Sequence, residues 1–458
     1  MNNKTEKLEA LKGLRVLECA TVIAAPLCGR LLADFGAEVL HIEMPIKGDH
    51  LRNFGFEVDG INPWWKTYAR NKKLITLDIS KEEGRDILYQ LLEDTDIFIE
   101  NFRPGRLEEW GINIDELQSK YPKLIIVRVS GYGQTGPYAN QPGFGTLMEA
   151  MSGFAEMTGE NDGPPTLPQF ALADTFAGFY AALSAMFAIY NRDIVKTKKG
   201  QVIDVSIWES LFSVLGPNAM VYDLTGQIPR RMGNKAPTSA PRNTYKTKDN
   251  RWIALAGATQ TTAERLFKVI GRPDLIDHPK FLNNSERVVN VDELDEYISE
   301  WISKHSLEEV TSALQKEAVP MGPVFNIEDI MNNIHAQARE MIINISDNGK
   351  NLNTENVFPK MSKTPGKIKH LGKNIGHDNE EIFRNWLGIK TSEITQLKKD
   401  GIIALDNFYE TCNNNFLLAK KEEVTDRVKN MGIGTSDVVI EKALSLAALI
   451  EELESNDE

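Results

Sequence analysis

The sequence predicts an α/β protein built around a parallel sheet, and two observations lead to this fold class. Short apolar stretches alternate with helix-length segments through the first 135 residues, which is the pattern of parallel βαβ units with right-handed crossovers. A Gly- and Pro-rich connection at 225–245 then precedes a second, shorter α/β region. Because a parallel sheet binds ligands beyond the carboxyl ends of its strands, we expect functional residues in the loops after the strands.

The first strand and helix show how each element is assigned. Residues 14–19 (LRVLEC) are apolar enough for a buried strand, and 26–35 (PLCGRLLADF) predict a helix with proline in its first turn and Gly36 at its end. The same criteria predict strands at 38–43, 74–79, 96–100, 124–130 and 201–207, and helices at 81–93, 176–190 and 208–215.

The second half of the chain completes the predicted domain organisation. A strand at 252–256 and helices at 262–270 and 291–304 form the second α/β region. We predict a large domain whose amino-terminal part is 1–215, a linker or flap at 216–245, a small domain at 246–330, a return to the large domain at 331–400 and an acidic carboxyl-terminal extension at 401–458.

Composition excludes several classes of function. The 458 residues carry a formal net charge of −13, which argues against a surface that coats nucleic acid. The amino-terminal segment lacks an apolar signal region, and we expect the longest apolar stretches to be too short and too rich in alanine to span a bilayer. We therefore expect a cytoplasmic protein that does not bind membranes.

Cysteine and histidine patterns give no indication of a metal site. The three cysteines (Cys19, Cys28 and Cys412) form no CxxC pair, and the chain has no HExxH motif and no GxSxG motif. None of the seven histidines lies between residues 51 and 277. We expect no bound metal, and carboxylate chemistry at any active site in that region.

Asp174 is the candidate catalytic residue. It follows a Gly- and Pro-rich loop and stands directly before the apolar helical segment at 176–190. One interpretation is that Asp174 only caps this helix, whose positive end keeps its carboxylate ionised. The other is that Asp174 is a desolvated carboxylate nucleophile. Residue patterns alone leave both interpretations open.

Two groups of basic and polar residues flank predicted strands. Arg70, Lys72 and Lys73 precede one strand, and Asn101, Arg103 and Arg106 follow another. Each group could be a solvated surface, but their common position beside strand ends indicates a shared phosphate site. The segment Gly131–Gly136 matches GxGxxG, yet Pro137 follows where a dinucleotide site needs a helix, so we reject NAD binding.

Several segments, taken together and in order, resemble the family III CoA-transferases. The matching pieces are LKGLRVLECATVIAAP, LLADFGAEVLHIE, NKKLITLDI with EEGRDIL, DIFIENFRPG, VSGYGQTGPYA, ALADTFAG, GQVIDVSIWE and VPMGPV. They span roughly residues 10–400. The resemblance implies a Rossmann-like large domain built from both chain ends, a smaller inserted domain and a homodimer of interlocked chains.

The resemblance also implies a mechanism. Asp174, within ALADTFAG, falls on the family's catalytic aspartate, which attacks an acyl-CoA donor to give a mixed anhydride and then an aspartyl-CoA thioester. A carboxylic acid acceptor takes over the CoA, so coenzyme A is a substrate and not a tightly bound cofactor. The implied CoA contacts are Val22, Ala24, Ala25, Lys72, Lys73, Asn101, Phe102, Arg103 and Arg106.

Two other functions stay open at this point. An α-methylacyl-CoA racemase shares this fold but needs a second acid/base group, a histidine about where Phe144 stands. An inactive CoA-binding protein is the other alternative, and the intact ALADTFAG motif argues against it. The four-glycine loop of formyl-CoA transferases is not evident, GATQTT from Gly257 being the nearest feature, which argues against formyl or oxalyl substrates.

Overall fold

A computed structural model describes residues 8–404 of the chain. The predicted acidic extension lies outside the described residues from 405 onward. The strands are β1 (Arg15–Cys19), β2 (Glu38–Glu43), β3 (Lys73–Thr76), β4 (Ile97–Glu100), β5 (Ile125–Ser130), β6 (Val202–Ser206), β7 (Arg242–Lys246), β8 (Trp252–Ala256), β9 (Met321–Pro323), β10 (Ile342–Asp347) and β11 (Lys350–Glu355).

Helices connect and cover these strands. They are α1 (Ala24–Asp34), α2 (Pro63–Tyr68), α3 (Glu82–Leu92), α4 (Arg106–Glu109), α5 (Ile114–Lys120), α6 (Gly145–Met151), α7 (Phe154–Met157), α8 (Leu172–Ile189), α9 (Ile207–Phe212), α10 (Asn218–Thr225), α11 (Gln260–Val269), α12 (Asn284–Val289), α13 (Val291–Ile302), α14 (Leu307–Lys316), α15 (Ile327–Asn332), α16 (Ile334–Ala338) and α17 (Thr391–Lys399).

The main sheet confirms the predicted parallel α/β fold. Its six strands are parallel and follow the spatial order β3-β2-β1-β4-β5-β6, so that Val16 of β1 lies between Val39 and Ile97. From β1 the chain adds β2 and β3 on one side and then β4, β5 and β6 on the other. In such sheets ligands bind in the crevice where the strand order reverses, which here lies between β1 and β4. The loops after β1 and β4 border that crevice.

Alternating residues of each strand face two different cores. Leu17 and Phe98 point to the face that α3 and α5 cover, whereas Val16, Ile97 and Ile99 point to the face that α1 and α8 cover. A central strand that is buried on both faces needs apolar residues at nearly every position. This is why the sequence shows continuous apolar runs here.

Helix α8 packs through a stripe of small side chains. Ala173, Ala177, Ala181 and Ala185 recur every four residues and are fully buried. A Cβ atom at Gly178 would lie 2.8 Å from the carbonyl oxygen of Ala24, so α1 and α8 approach at a distance that only small residues permit. This close packing places the start of α8 beside the crevice.

The length of this helix corrects one expectation. With the π-helical turn at Tyr190–Ile194 it forms a continuous helix of 23 residues, of which an 18-residue stretch has a mean hydropathy of 1.5. It is the one helix within residues 8–404 that is long and apolar enough to cross a membrane. The predicted helix, 176–190, starts four residues after the observed helix and ends four residues before it. The buried side of α8 packs against α1 and the sheet.

The remaining strands form two small sheets. Strands β7, β8 and β9 pair antiparallel over a core drawn from residues 245–321, and β10 and β11 form a hairpin. The bounds of β8 are those predicted, and the helices expected at 262–270 and 291–304 appear as α11 and α13. The domain limits drawn from the sequence stay predictions.

The end of the described chain packs against the main sheet. The amide of Leu74 donates to Oδ2 of Asp378 at 2.7 Å, and that of Thr76 to Oδ1 of Asn379 at 2.9 Å. Ile382, Phe383, Ile402 and Ile403 belong to the same core as β1 and β4. Segments from both ends of residues 8–404 therefore build one core.

Candidate active site

A cavity of about 640 Å³ lies at the carboxyl ends of β1, β4 and β5. This is the edge at which a parallel sheet binds its ligands. The loops after these strands and the starts of α6 and α8 line it, including Thr21, Val22, Asn101, Phe102, Arg103, Ser130, Gly131, Phe144, Gly145, Glu149 and Asp174. The structure therefore brings Asp174 together with the loop that carries Arg103.

Asp174 does not cap its helix, which corrects one of the two interpretations of this residue. Helix α8 begins at Leu172, with Ala171 at the cap position and no side-chain cap hydrogen bond from that residue. Asp174 is the third helical residue, within the first turn. Its partly exposed carboxyl group faces the cavity, so it remains accessible to a substrate.

A different carboxylate bonds the end of α8. Glu149 of α6 is buried, and its Oε1 accepts hydrogen bonds from the backbone N–H groups of Leu172 at 2.9 Å and Ala173 at 3.3 Å. Donors in the first turn have no partner within the helix, although the N–H of Leu172 also donates to the carbonyl oxygen of Phe170 at 2.7 Å. Because Glu149 occupies the N–H groups of Leu172 and Ala173, they do not stabilise a negative charge on Asp174.

The environment of Asp174 disfavours its charged form. Burial raises the pKa of Asp174 from the ordinary 3.8 to about 7, and the nearby negative charge of Glu149 acts in the same direction. The cap interpretation expected the helix end to keep this carboxylate ionised, whereas burial and the charge of Glu149 both act against ionisation. At neutral pH the carboxyl group is divided between its two protonation states.

Gly145 lies directly against the Asp174 carboxyl group. A Cβ atom at position 145 would stand 2.3 Å from Oδ2 of Asp174, well inside van der Waals contact. Only glycine at position 145 leaves enough room for the carboxyl group of Asp174. The preceding residue, Phe144, is 68% exposed and also lines the cavity, so an aromatic ring without an acid/base group occupies the position beside Gly145.

The loop after β1 has an unusual backbone that its neighbours hold. Val22 has φ = 67°, a conformation that β-branched residues rarely adopt. Its N–H donates to Oδ1 of buried Asp49 at 3.0 Å. The side chain of Asn101 bonds both the N–H and the carbonyl oxygen of Thr21, at 3.0 and 2.8 Å. Asn101 thus joins the loops after β1 and β4.

The loop after β4 supplies the cavity's cationic groups. Arg103 and Arg106 are exposed and line the cavity together with Phe102. Arg106 also forms an ion pair with Glu109 at 2.8 Å. Exposed guanidinium groups at a cavity mouth suit the phosphates of an anionic ligand.

The other basic group lies elsewhere, which corrects the expectation of one shared site. Lys72 is buried and donates to Oε1 of Glu18 at 2.7 Å. Lys73 pairs with Glu38 and Glu381, at 3.1 and 2.7 Å, beside a separate cavity of about 710 Å³. Lys72 precedes β3 and Lys73 is its first residue, so Lys73 stands at the amino edge of the sheet, opposite the crevice.

Three further expectations have clear outcomes. Arg70, which belonged to the same basic group, is buried in an ion pair with Asp34 at 2.6 Å. Ala24 lines the cavity, whereas Ala25 is fully buried and does not. The GxGxxG segment is followed by turns, and the next helix begins only at Gly145, so it lacks the helix that a pyrophosphate needs.

Sequence reasoning missed Glu149, Gly145 and Asp49. A signal for Glu149 existed, since it is the one charged residue of α6, GTLMEAM. Within residues 8–404, no group of three or more His, Cys, Asp or Glu side chains is placed to hold a metal ion.

Comparison with known proteins places these features in a family. The family model described as CoA-transferase family III matches residues 11–379. The chain is 38% identical over 395 residues to the succinyl-CoA–D-citramalate CoA-transferase of Chloroflexus aurantiacus, which covers 86% of this chain and 98% of that protein. It is 30% identical over 391 residues to the succinate–glutarate CoA-transferase of Agrobacterium fabrum, covering 84% and 97%.

A solved structure gives the same result for the fold. The crystal structure of a CAIB/BAIF family protein from Brucella suis aligns with a TM-score of 0.73 and 30% sequence identity, covering 83% of this chain and all of that one. The matched residues include both the crevice loops and Asp174. The chain belongs to CoA-transferase family III and is a CoA-transferase.

Proposed function

We propose that the protein transfers CoA from an acyl-CoA donor to a carboxylic acid through covalent intermediates on Asp174. The observation that carries the proposal is the position of this carboxyl group, partly exposed at the crevice of the sheet and pressed against the glycine backbone at 145. A covalent nucleophile divides one difficult exchange into easier steps.

The proposed reaction begins at the donor thioester. An oxygen of Asp174 attacks the acyl carbon, the C–S bond breaks, and CoA leaves as a thiolate, which gives a mixed anhydride. The thiolate then attacks Cγ of Asp174 and expels the donor's carboxylate, which leaves an aspartyl-CoA thioester. No other reactant is consumed in this half of the cycle.

The second half repeats these steps with the acceptor. The acceptor carboxylate attacks Cγ of Asp174, the C–S bond breaks, and a second mixed anhydride forms. CoA thiolate attacks the acceptor's acyl carbon and releases Asp174 as a carboxylate. The raised pKa of Asp174 supports this role, since a more basic carboxylate is a better nucleophile toward a thioester.

We propose that CoA lies along the loops after β1 and β4, with its phosphates near Arg103 and Arg106. The exposure of both guanidinium groups at the cavity supports this orientation. Asn101 and Val22 then act by shaping the loop backbones. Ala24 and Phe102 contribute apolar surface.

The relatives' names guide the choice of acids. The names of these relatives include succinyl-CoA, citramalate, succinate and glutarate. The acids among them, and the acid from which succinyl-CoA derives, each have two carboxyl groups. We propose dicarboxylic acids of four to five carbons as the first donor and acceptor pairs to assay. CoA transfer requires one carboxylate nucleophile, and Asp174 provides it.

We also propose that two chains form an interlocked homodimer. The outer side of α8 exposes Phe179, Leu183 and Phe187, and α10 has no buried residue. Large exposed apolar surfaces of this kind mark interaction sites. A second copy of the chain would remove them from water.

Covalent trapping tests the proposed function. The protein is mixed with succinyl-CoA, treated with hydroxylamine or borohydride, digested and analysed by mass spectrometry. We expect modification of Asp174 alone, with no modification in Asp174→Ala, which should remain folded but not exchange CoA. Exchange of the α-hydrogen of a 2-methylacyl-CoA for deuterium, without transfer to any added acid, would instead indicate a racemase.

A further inference from the structure

We propose that Glu149 is a positioning residue for the nucleophile: its buried carboxylate holds the first turn of α8 and sets the electrostatic environment of Asp174. This inference rests on the proposed function of Asp174. Glu149 lines the cavity, is 3% exposed and bonds the N–H groups of Leu172 and Ala173. It therefore fixes the two residues that directly precede Asp174.

Both of these bonds use one oxygen, Oε1, of Glu149. A neutral glutamine could keep the same two bonds through its carbonyl oxygen. A glutamate at this place thus supplies more than the cap, because it adds a negative charge beside a second carboxyl group. In a partly buried site such a charge pair is costly while both groups are ionised.

Covalent catalysis relieves this repulsion. When Asp174 becomes an anhydride or a thioester it loses its charge, and Glu149 then faces a neutral group. The charge of Glu149 consequently favours every acylated form of Asp174 over the free carboxylate. The same interaction raises the pKa of Asp174, since protonation also removes the charge.

Burial and Glu149 account for the raised pKa of Asp174, and among the described residues no other charged or titratable group around it opposes the shift. Tyr68 of α2 faces it and has a raised pKa, mainly through burial. Arg30 of α1 lies over the Tyr68 ring and pairs with Glu355. From α9 the cavity receives apolar Ile207. His50, Arg103 and Arg106 also line the cavity.

The test compares Glu149→Gln with Glu149→Asp. Asp174 is titrated by its reaction with a carbodiimide, read by peptide mass spectrometry from pH 4 to pH 9, so turnover is not needed. Removing the charge should move the midpoint of Asp174 down by about one pH unit or more, whereas Glu149→Asp should keep it near that of the unmodified protein. Glu116→Gln, an exposed change on α5, serves as the charge control.

A second readout measures the covalent state. Because a pKa unit and a tenfold change in an equilibrium constant are the same free energy, Glu149→Gln should reduce the trapped aspartyl-CoA at equilibrium about tenfold at pH 8. The proposal is overturned if the titration midpoint of Asp174 is unchanged in folded Glu149→Gln. It is also overturned if Glu149→Asp shifts this midpoint as much as Glu149→Gln does. A midpoint below about pH 5 in the unmodified protein would overturn it even if Glu149→Gln fails to fold.

These results separate the two proposals. If succinyl-CoA leaves no adduct on Asp174 of the unmodified protein, the proposed function fails, while the carbodiimide titration still reports on Glu149. If the adduct forms but the titration is unaffected by Glu149→Gln, only the role of Glu149 fails.

Discussion

A Cβ atom on Gly145 would stand 2.3 Å from Oδ2 of Asp174. We therefore expect Gly145→Ala to displace the carboxyl group and lower CoA transfer at least about a hundredfold, as misplacement by 1 Å does in other enzymes. Alanine favours a helical position, so the melting temperature should change little. Gly163→Ala, whose Cβ would have ordinary contacts, is the control, and full activity in Gly145→Ala would contradict the prediction.

The raised pKa of Asp174 also affects stability. The folded pKa is about 7 and the ordinary value 3.8, so the folded state binds the proton more tightly than the unfolded one. The contribution of Asp174 to the free energy of unfolding is fully present below pH 4, and it is lost as the pH rises to 7 and above. Asp174→Asn should therefore raise the melting temperature at pH 8 more than at pH 5.

Calorimetry at both pH values checks this expectation. Asp86→Asn, an exposed change on α3, should show no such pH-dependent gain. An equal shift of Asp174→Asn at pH 5 and pH 8 would mean that the carboxyl group is not strained in the folded protein.

The separation of Arg103 from Lys73 gives opposite expectations for two basic residues. Arg103→Gln should weaken CoA binding about tenfold at low salt, and by less at 0.5 M salt, because ions screen exposed charges. Lys73→Gln should leave the dissociation constant unchanged, since Lys73 pairs with Glu38 and Glu381 at the other edge of the sheet. Isothermal titration of CoA measures both, and a loss of affinity in Lys73→Gln alone would place the phosphates elsewhere.

The proposed dimer depends on the outer side of α8. Phe187 is 63% exposed, and a glutamate there would put a charge into the proposed interface. We expect Phe187→Glu to form monomers at micromolar concentration, while the unmodified protein stays dimeric at nanomolar concentration in analytical ultracentrifugation. Val289→Glu, at an exposed site on α12, should stay dimeric. A monomeric unmodified protein would refute the proposal.

The last described residues set where the chain can be shortened. Ile402 and Ile403 are 1% exposed within the core of the main sheet, and the amide of Ala404 donates to Oγ1 of Thr76 at 2.9 Å. A chain that ends at 404 should keep fold and activity. One that ends at 400 should lose at least about 3 kcal/mol of unfolding free energy, the cost of emptying large apolar sites, as urea unfolding would show.

Much of the fold was predictable because apolar runs and turn residues are local signals. The bounds predicted for β2 and β8 are those observed, and the ends of the other predicted strands differ from the observed ends by at most three residues. Asp174 was found through its motif. The start of α8 was missed since Ala171 caps it without a side-chain bond, and the donors at this end bond a glutamate 23 positions earlier.

The errors about charge have a common physical origin. Arg70, Lys72 and Lys73 come before the predicted strand, and the amino ends of parallel strands lie away from the crevice, so their order in the sequence already argued against a shared site. Partners of Lys72 and Lys73 lie 54 and 308 positions away. Ion pairs of this kind depend on the finished fold, so the residue pattern alone could not reveal them.

The bonds from Leu74 and Thr76 to Asp378 and Asn379 have a consequence for synthesis. They span 304 and 303 positions, which a ribosome covers in roughly 15–60 s at 5–20 residues per second. Until then β3 remains an outer strand whose amides lack their final partners, and such strands invite pairing with other chains. The nascent protein is therefore most prone to aggregate between the emergence of its first strands and the arrival of the segment that closes the sheet.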